Sequence, residues 1–225
     1  MTSRSIIALL FCFLIVTGCD KEQLAEGMVK DVDGNIYHSI VVDSQVWMLE
    51  NLKTTRYNDG SPITLITDNL SWGKLTIPAY CWHGNNPENK ETYGALYNWE
   101  AAHTGKLCPK GWHVPTLEDW MILSTYVRDD GGRIKEQGLT HWTLPNSQAS
   151  NVTGFTALPG SYRGFEGKFG EIGISAYFWC DYTFGEYDAI GITLRHYDFS
   201  LSSYQIPKIF GCSIRCIRDE GTTRR

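Results

Sequence analysis

The chain lacks a basic surplus: 20 Lys and Arg stand against 25 Asp and Glu, giving a formal charge of -5 and a pI near 5.7. Proteins that hold nucleic acid carry excess cations to neutralise phosphates, so the composition speaks against a nucleic-acid partner. It also lacks an apolar run long enough to cross a bilayer. The sustained run at 6–16 is eleven residues, whereas a spanning helix needs about 20. No Cys-x-x-Cys pair, no Cys/His set at zinc spacing and no Gly-x-Ser-x-Gly string occurs. Neither a metal or other cofactor nor a serine nucleophile is therefore expected. Methionine is scarce at four residues, while there are 22 Gly, 12 Tyr and eight Trp. That balance predicts a loop-rich, aromatic-cored domain containing β-structure rather than a helical bundle. With 225 residues, 42% hydrophobic and 20% charged, the chain has ordinary globular composition.

The amino terminus reads as a delivery label. Arg4 precedes the apolar run, which has the length of the hydrophobic region of an export signal. Val16-Thr17-Gly18-Cys19 follows and resembles the lipobox of bacterial lipoproteins, in which the cysteine is lipidated and becomes the first mature residue. The alternative is a signal peptide with an incidental cysteine, cleaved elsewhere. The expected organisation is a signal at 1–18, a polar tether at 19–27, one domain at 28–219 and a polar tail at 220–225. Cys19 would hold the domain on a membrane through its acyl chains. The expected address is the bacterial cell envelope, at the outer membrane or cell surface.

Past the signal and Cys19, the cysteines are Cys81, Cys108, Cys180, Cys212 and Cys216. Five is odd, so at most two bridges form. Cys212 and Cys216 lie four apart and would share a face of a regular strand.

The Asp33-Gly34-Asn35 string between β-rich runs predicts a hairpin turn. A calcium loop built on Asp31-x-Asp33 is the competing reading, and it lacks the distal Glu and the full ligand series. A second turn is expected at Asn58-Asp59-Gly60-Ser61-Pro62, then irregular chain at 63–92. Leu96, Trp99 and Ala102 or His103 recur at helical spacing, predicting a first helix at 96–103. A second helix starts after Pro115-Thr116, with Thr116 as cap, Asp119 at the reciprocal capping-box position, Trp120, Leu123 and Val127 as the buried stripe, and Asp129-Asp130-Gly131-Gly132 as the stop. Glycine-punctuated short strands and loops follow. The class read from this order is α+β, with two helices, short antiparallel strands and long loops.

Six blocks together carry a family resemblance. They are Asp33-Gly34-Asn35-Ile36-Tyr37; Gln45-Val46-Trp47-Met48-Leu49-Glu50-Asn51-Leu52; Tyr93-Gly94-Ala95-Leu96-Tyr97-Asn98-Trp99-Glu100-Ala101-Ala102; Cys108-Pro109-Lys110-Gly111-Trp112-His113-Val114-Pro115-Thr116; Gly154-Phe155-Thr156-Ala157-Leu158-Pro159-Gly160; and Ser213-Ile214-Arg215-Cys216. In this order they resemble the Fibrobacter succinogenes major paralogous domain, found in exported bacterial proteins and common in lipoproteins. The family in turn resembles the C-type lectin-like fold shared with formylglycine-generating enzyme-like proteins. That resemblance implies a bridge from Cys108 to Cys216. The chain departs from the family at Phe178-Trp179-Cys180-Asp181 and at Cys212. Two unusual cysteines together suggest a second bridge, Cys180 to Cys212, leaving Cys81 as a small buried side chain.

Lectins of this fold that bind sugar through calcium carry their ligand strings late in the domain. The nearest string here, Asn86-Pro87-Glu88-Asn89, comes before the first expected helix, which removes most support for that chemistry. Aromatic stacking remains the candidate means of binding, with Trp142, Tyr162, Tyr177 and Trp179 and the nearby Arg163 as candidate contacts. The histidines are scattered without a nucleophile motif and read as structural or solvent-facing. The expected function is therefore a non-catalytic binding or adhesion domain tethered to the envelope, with glycan as one ligand class and an envelope protein as another. The alternatives are a structural or protein-interaction lipoprotein of the envelope and a cysteine oxidoreductase of formylglycine-generating enzyme-like fold using Cys212 and Cys216.

Overall fold

A computed structural model describes residues 27–221. The expected signal, Cys19 and nearly all of the tether fall outside the described residues, as do 222–225. In chain order the elements are β1 (Met28–Lys30), β2 (Ile36–Val42), β3 (Gln45–Met48), β4 (Thr64–Leu65), α1 (Asn69–Trp72), β5 (Ala79–Trp82), α2 (Asn89–Tyr93), β6 (Ala95–Tyr97), α3 (Trp99–Ala102), β7 (Trp112–His113), α4 (Leu117–Val127), β8 (Ser175–Phe184), β9 (Asp188–Arg195), β10 (Ser202–Pro207) and β11 (Ile217–Arg218). They form three sheets, ordered β1-β2-β3-β11-β7, β10-β9-β8 and β4-β5-β6. In the first, β11 returns from the chain end to pair antiparallel with both β3 and β7.

Both predicted turns are present. Between β1 and β2 the Asp31 carboxylate accepts hydrogen bonds from the Asn35 N–H at 2.9 Å, the Asn35 side-chain amide at 2.7 Å and the Tyr37 hydroxyl at 2.6 Å. These protein donors organise the turn that competed with a calcium loop. At 57–61 the Gly60 N–H reaches Tyr57 O and the Tyr57 N–H reaches Ser61 O.

The expected α+β, C-type lectin-like architecture is corrected: the described chain is mostly β, and α4 is its one helix longer than five residues. The first predicted helix accounts for most of the difference. Ala95–Tyr97 is a strand paired with β5, and only Trp99–Ala102 is helical. Asn98 sets the boundary, because its Oδ1 accepts from Ala79 N–H and caps Ala101 N–H while its amide donates to Ile77 O. Leu96 and Tyr97 then face different apolar clusters, which a strand buried on both sides does and a helical stripe does not. The segment expected to be irregular, 63–92, instead supplies β4, α1, β5 and α2. Downstream, the strands are long rather than short: β8, β9 and β10 have ten, eight and six residues.

The second helix forms as read. Thr116 and Asp119 make the reciprocal capping box, a cap contributing about 1 kcal/mol. Trp120, Leu123 and Val127 are buried against Trp47, Phe155 and Phe178, each burial stabilising by roughly 1.5–3 kcal/mol. β8 is the wall between two cores. Phe178 and Cys180 face the Trp120 side, whereas Tyr177 and Trp179 face the other, with Trp99, Tyr97 and Cys212.

Buried cations tie the long connections to this frame. Arg215 donates to Phe155 O and to Asn51 Oδ1, and its guanidinium lies 4.4 Å from the Phe155 ring. The Lys135 ammonium donates to Ser147 O, Arg195 O and Asp198 O. Burial lowers the pKa of Arg215 to about 9 and that of Lys135 to about 8. Carbonyl dipoles, not carboxylates, satisfy both groups, so these residues hold loops rather than form ion pairs.

Candidate functional site

Three of the five expected ligand contacts are interior and are corrected. Trp142 is buried and donates its indole N–H to Ala157 O at 3.0 Å. Trp179 is buried and donates to Tyr97 O at 2.7 Å. Arg163, at 0% exposure, lies between the Trp72 and Phe169 rings at 4.4 and 4.8 Å. It donates to Gly167 O, Ile66 O, Thr67 O and Asn69 Oδ1. In each case an internal carbonyl takes up the polar group, which removes the cost that would otherwise keep it at the surface.

Tyr162 and Tyr177 stay half-buried, and they sit in the middle of a surface row. Phe165 meets Phe210 edge-on at 5.0 Å, Phe210 stacks on Tyr162 at 5.5 Å, and Tyr162 meets Tyr177 at 4.7 Å. Arg195 continues the row, interacting with Tyr177 and lying 4.8 Å over Tyr204, whose hydroxyl accepts from its Nη1. Phe165 and Tyr204 at the two ends are 60% and 40% exposed. The row is rigidly mounted. A Cβ at Gly170 would stand 2.4 Å from Ser161 Oγ and 2.7 Å from the Tyr162 ring, so glycine is required for that close approach. His83 donates its Nε2–H to Gly170 O at 2.7 Å, and burial lowers its pKa.

Phe165 also borders a groove of about 590 Å³ with Glu100, Glu186, Tyr187, Asp188 and Lys208. The tip of the β8–β9 hairpin forms one wall, and Tyr187 there is 74% exposed. The segment after β10 pins that wall. Lys208 N–H donates to Tyr187 O at 2.9 Å, while its ammonium donates to Gly185 O and Glu186 O at 3.2 and 2.8 Å. On the far side, Lys208 O accepts from Trp99 N–H and Ile209 O from the Trp72 indole. The groove is thus shaped before any ligand arrives.

A second cavity, about 560 Å³, surrounds His113. The His113 ring contacts Asp219 at 2.7 Å through Nδ1 and Asp119 at 3.2 Å through Nε2. The Asp119 hydrogen bond raises the His113 pKa above its ordinary value; burial opposes this and Asp219 adds to it. Asp119 is also the N3 partner of Thr116 in the capping box of α4, so the three groups clamp the helix start to the end of β11. His113 thus has both ring nitrogens engaged by carboxylates.

The cysteines divide in two ways. Cys108 and Cys216 are bonded, with Cα atoms 6.0 Å apart across 108 residues. The second expected bridge is corrected: Cys180 and Cys212 are both free and buried. Strand alternation separates them, because Cys180 points to the Trp120 side of β8 and Cys212 packs with Trp179 on the other. Cys81 is free and buried. Burial pushes the thiols of Cys81 and Cys180 up to about 12 and raises that of Cys212. With Cys216 bonded to Cys108, a redox pair of Cys212 and Cys216 loses its partner. The Asn86-Pro87-Glu88-Asn89 string leads into α2, with Asn86 Oδ1 accepting from Glu88 N–H at 3.0 Å.

Sequence reading missed Phe165, Tyr187, Arg195, Tyr204 and Phe210. A signal for Tyr204 was present: an aromatic set among Ser202, Ser203 and Gln205 marks a polar edge strand with one ring on it. Among known families, the model of the Fibrobacter succinogenes major domain matches residues 40–218. No curated protein and no solved structure matches the chain.

Proposed function

Given a chain that belongs to the Fibrobacter succinogenes major domain family, we propose that it is a lipid-tethered, non-catalytic glycan-binding protein of the bacterial envelope. The row from Phe165 through Phe210, Tyr162, Tyr177 and Arg195 to Tyr204 is the observation that carries this reading. Sugar rings present apolar C–H faces and polar rims, and a line of partly exposed aromatic rings with hydroxyl and guanidinium edges complements both. The rings are held by close glycine packing and by their neighbours, so little ordering entropy opposes binding. Cys19 and the preceding apolar run support the anchor, which would place this surface at the membrane exterior.

The test uses the full chain purified in detergent, screened against a glycan array and then by calorimetry. Binding of at least one oligosaccharide is expected, with Phe165→Ala and Tyr204→Ala each weakening it about tenfold, or about 1.4 kcal/mol. Absence of saccharide binding by folded protein, or unchanged affinity in both variants, overturns the proposal. Membrane partitioning that persists unchanged in Cys19→Ala overturns the anchor.

A further inference from the structure

We propose that the groove beside Tyr187 receives an amine-bearing sugar residue, of the glucosamine type with a free ammonium group; this deepens the glycan-binding reading and rests on it. The groove has aromatic walls, Tyr187 and Phe165, exposed by 74% and 60%. Three acidic residues are among its lining, Glu100, Glu186 and Asp188. Among the described residues none of the three takes part in an ion pair or a side-chain hydrogen bond. The single cation in the lining, Lys208, is turned to the Gly185 and Glu186 carbonyls. Negative charge therefore exceeds positive charge inside a concave surface, where the low-dielectric walls strengthen its field.

Charge complementarity selects the occupant. A uronate or sulfated sugar would bring like charge against three carboxylates, and that juxtaposition is unfavourable. A neutral sugar would be tolerated but would leave the carboxylates uncompensated. An ammonium group satisfies them with charge-assisted hydrogen bonds and is attracted to the faces of Tyr187 and Phe165. The volume of about 590 Å³ admits a sugar residue with its neighbours in the chain. Because Phe165 belongs to both features, an oligosaccharide lying along the aromatic row would place one unit in the groove.

Calorimetry on the full chain in detergent at pH 5.5 would compare a glucosamine tetramer, its fully N-acetylated counterpart and a galacturonate tetramer. The free-amine tetramer is expected to bind at least tenfold more tightly than the acetylated one and to weaken as salt rises, with the galacturonate weakest. Glu186→Gln combined with Asp188→Asn, nearly isosteric changes, is expected to abolish the preference and leave the acetylated tetramer unchanged. Equal or tighter binding of the acetylated or galacturonate tetramer, or a preference that survives the double substitution, overturns the charge assignment and leaves the glycan-binding reading standing. Failure of all three tetramers and of the glycan array overturns both.

Discussion

Two cavities of nearly equal size, about 560 Å³ around His113 and about 590 Å³ beside Tyr187, differ in what their linings present. Around His113, Asp119 and Asp219 are spent on the imidazole and on the cap of α4, and the strand they secure carries Cys216 at its threshold. Beside Tyr187, Glu100, Glu186 and Asp188 have no such partners among the described residues, and the exposed rings lie next to them. A concave shape alone does not mark a ligand site. What separates the two is that exposed aromatic rings line only the second, while His113, Asp119 and Asp219 in the first are already engaged with one another.

The largest break in this contrast should come from the disulfide. Replacing Cys108 and Cys216 with alanine releases a loop of 108 residues and should cost about 4–5 kcal/mol of stability in the chain-entropy picture. Denaturant unfolding would measure it. At temperatures where the variant is still folded, saccharide affinity should be retained, because the groove is pinned through Lys208, Trp72 and Trp99 instead. A loss below about 1 kcal/mol would remove β11 and its bridge from the stabilising side of the comparison.

A smaller effect is expected at His113. Its folded pKa lies above the ordinary 6.5, so its contribution is fully present below about pH 6.5 and fades as pH rises through the raised value. Burial would raise the Asp119 pKa, but hydrogen bonds from His113 and Thr116 outweigh it and hold the carboxyl below its ordinary range. That contribution is present above the ordinary carboxylate pKa and is lost in acid. Because the clamp is partly exposed, screening limits it to roughly 0.5–1 kcal/mol. His113→Gln should flatten the decline in stability above pH 6.5; an unchanged slope would show that another group sets it.

The smallest expected change sharpens the other side. Tyr187→Ala should alter unfolding stability by less than about 0.5 kcal/mol, since a ring so exposed buries little apolar surface. Destabilisation above about 2 kcal/mol would mean that the ring is part of the scaffold and the groove wall is not free for a ligand.

How far these features were legible depended on the range of the interaction. The capping box of Thr116 and Asp119, the α4 stripe and both turns are contacts within a few residues, and local spacing reveals them. Residues 95–102 misled because Leu96, Trp99 and Ala102 satisfy a helical period over too short a span to exclude a strand buried on both faces followed by a single turn. Arg163 looked like a surface cation, and its cage draws carbonyls from 66 and 67, far away in the chain.

Local sequence by itself determined the start of α4 and both turns, and the linked blocks determined the family and, through the family resemblance, the Cys108–Cys216 bridge. Tertiary structure alone decided which rings remain at the surface and that Cys180 and Cys212 stay apart. The reason is that alternation along a strand such as β8 assigns residues to two faces but does not say what covers each face. Trp179 is buried because Tyr97, Trp99 and Cys212 arrive from other parts of the chain, whereas the half-buried Tyr177 on the same face leads out to Arg195 and Tyr204.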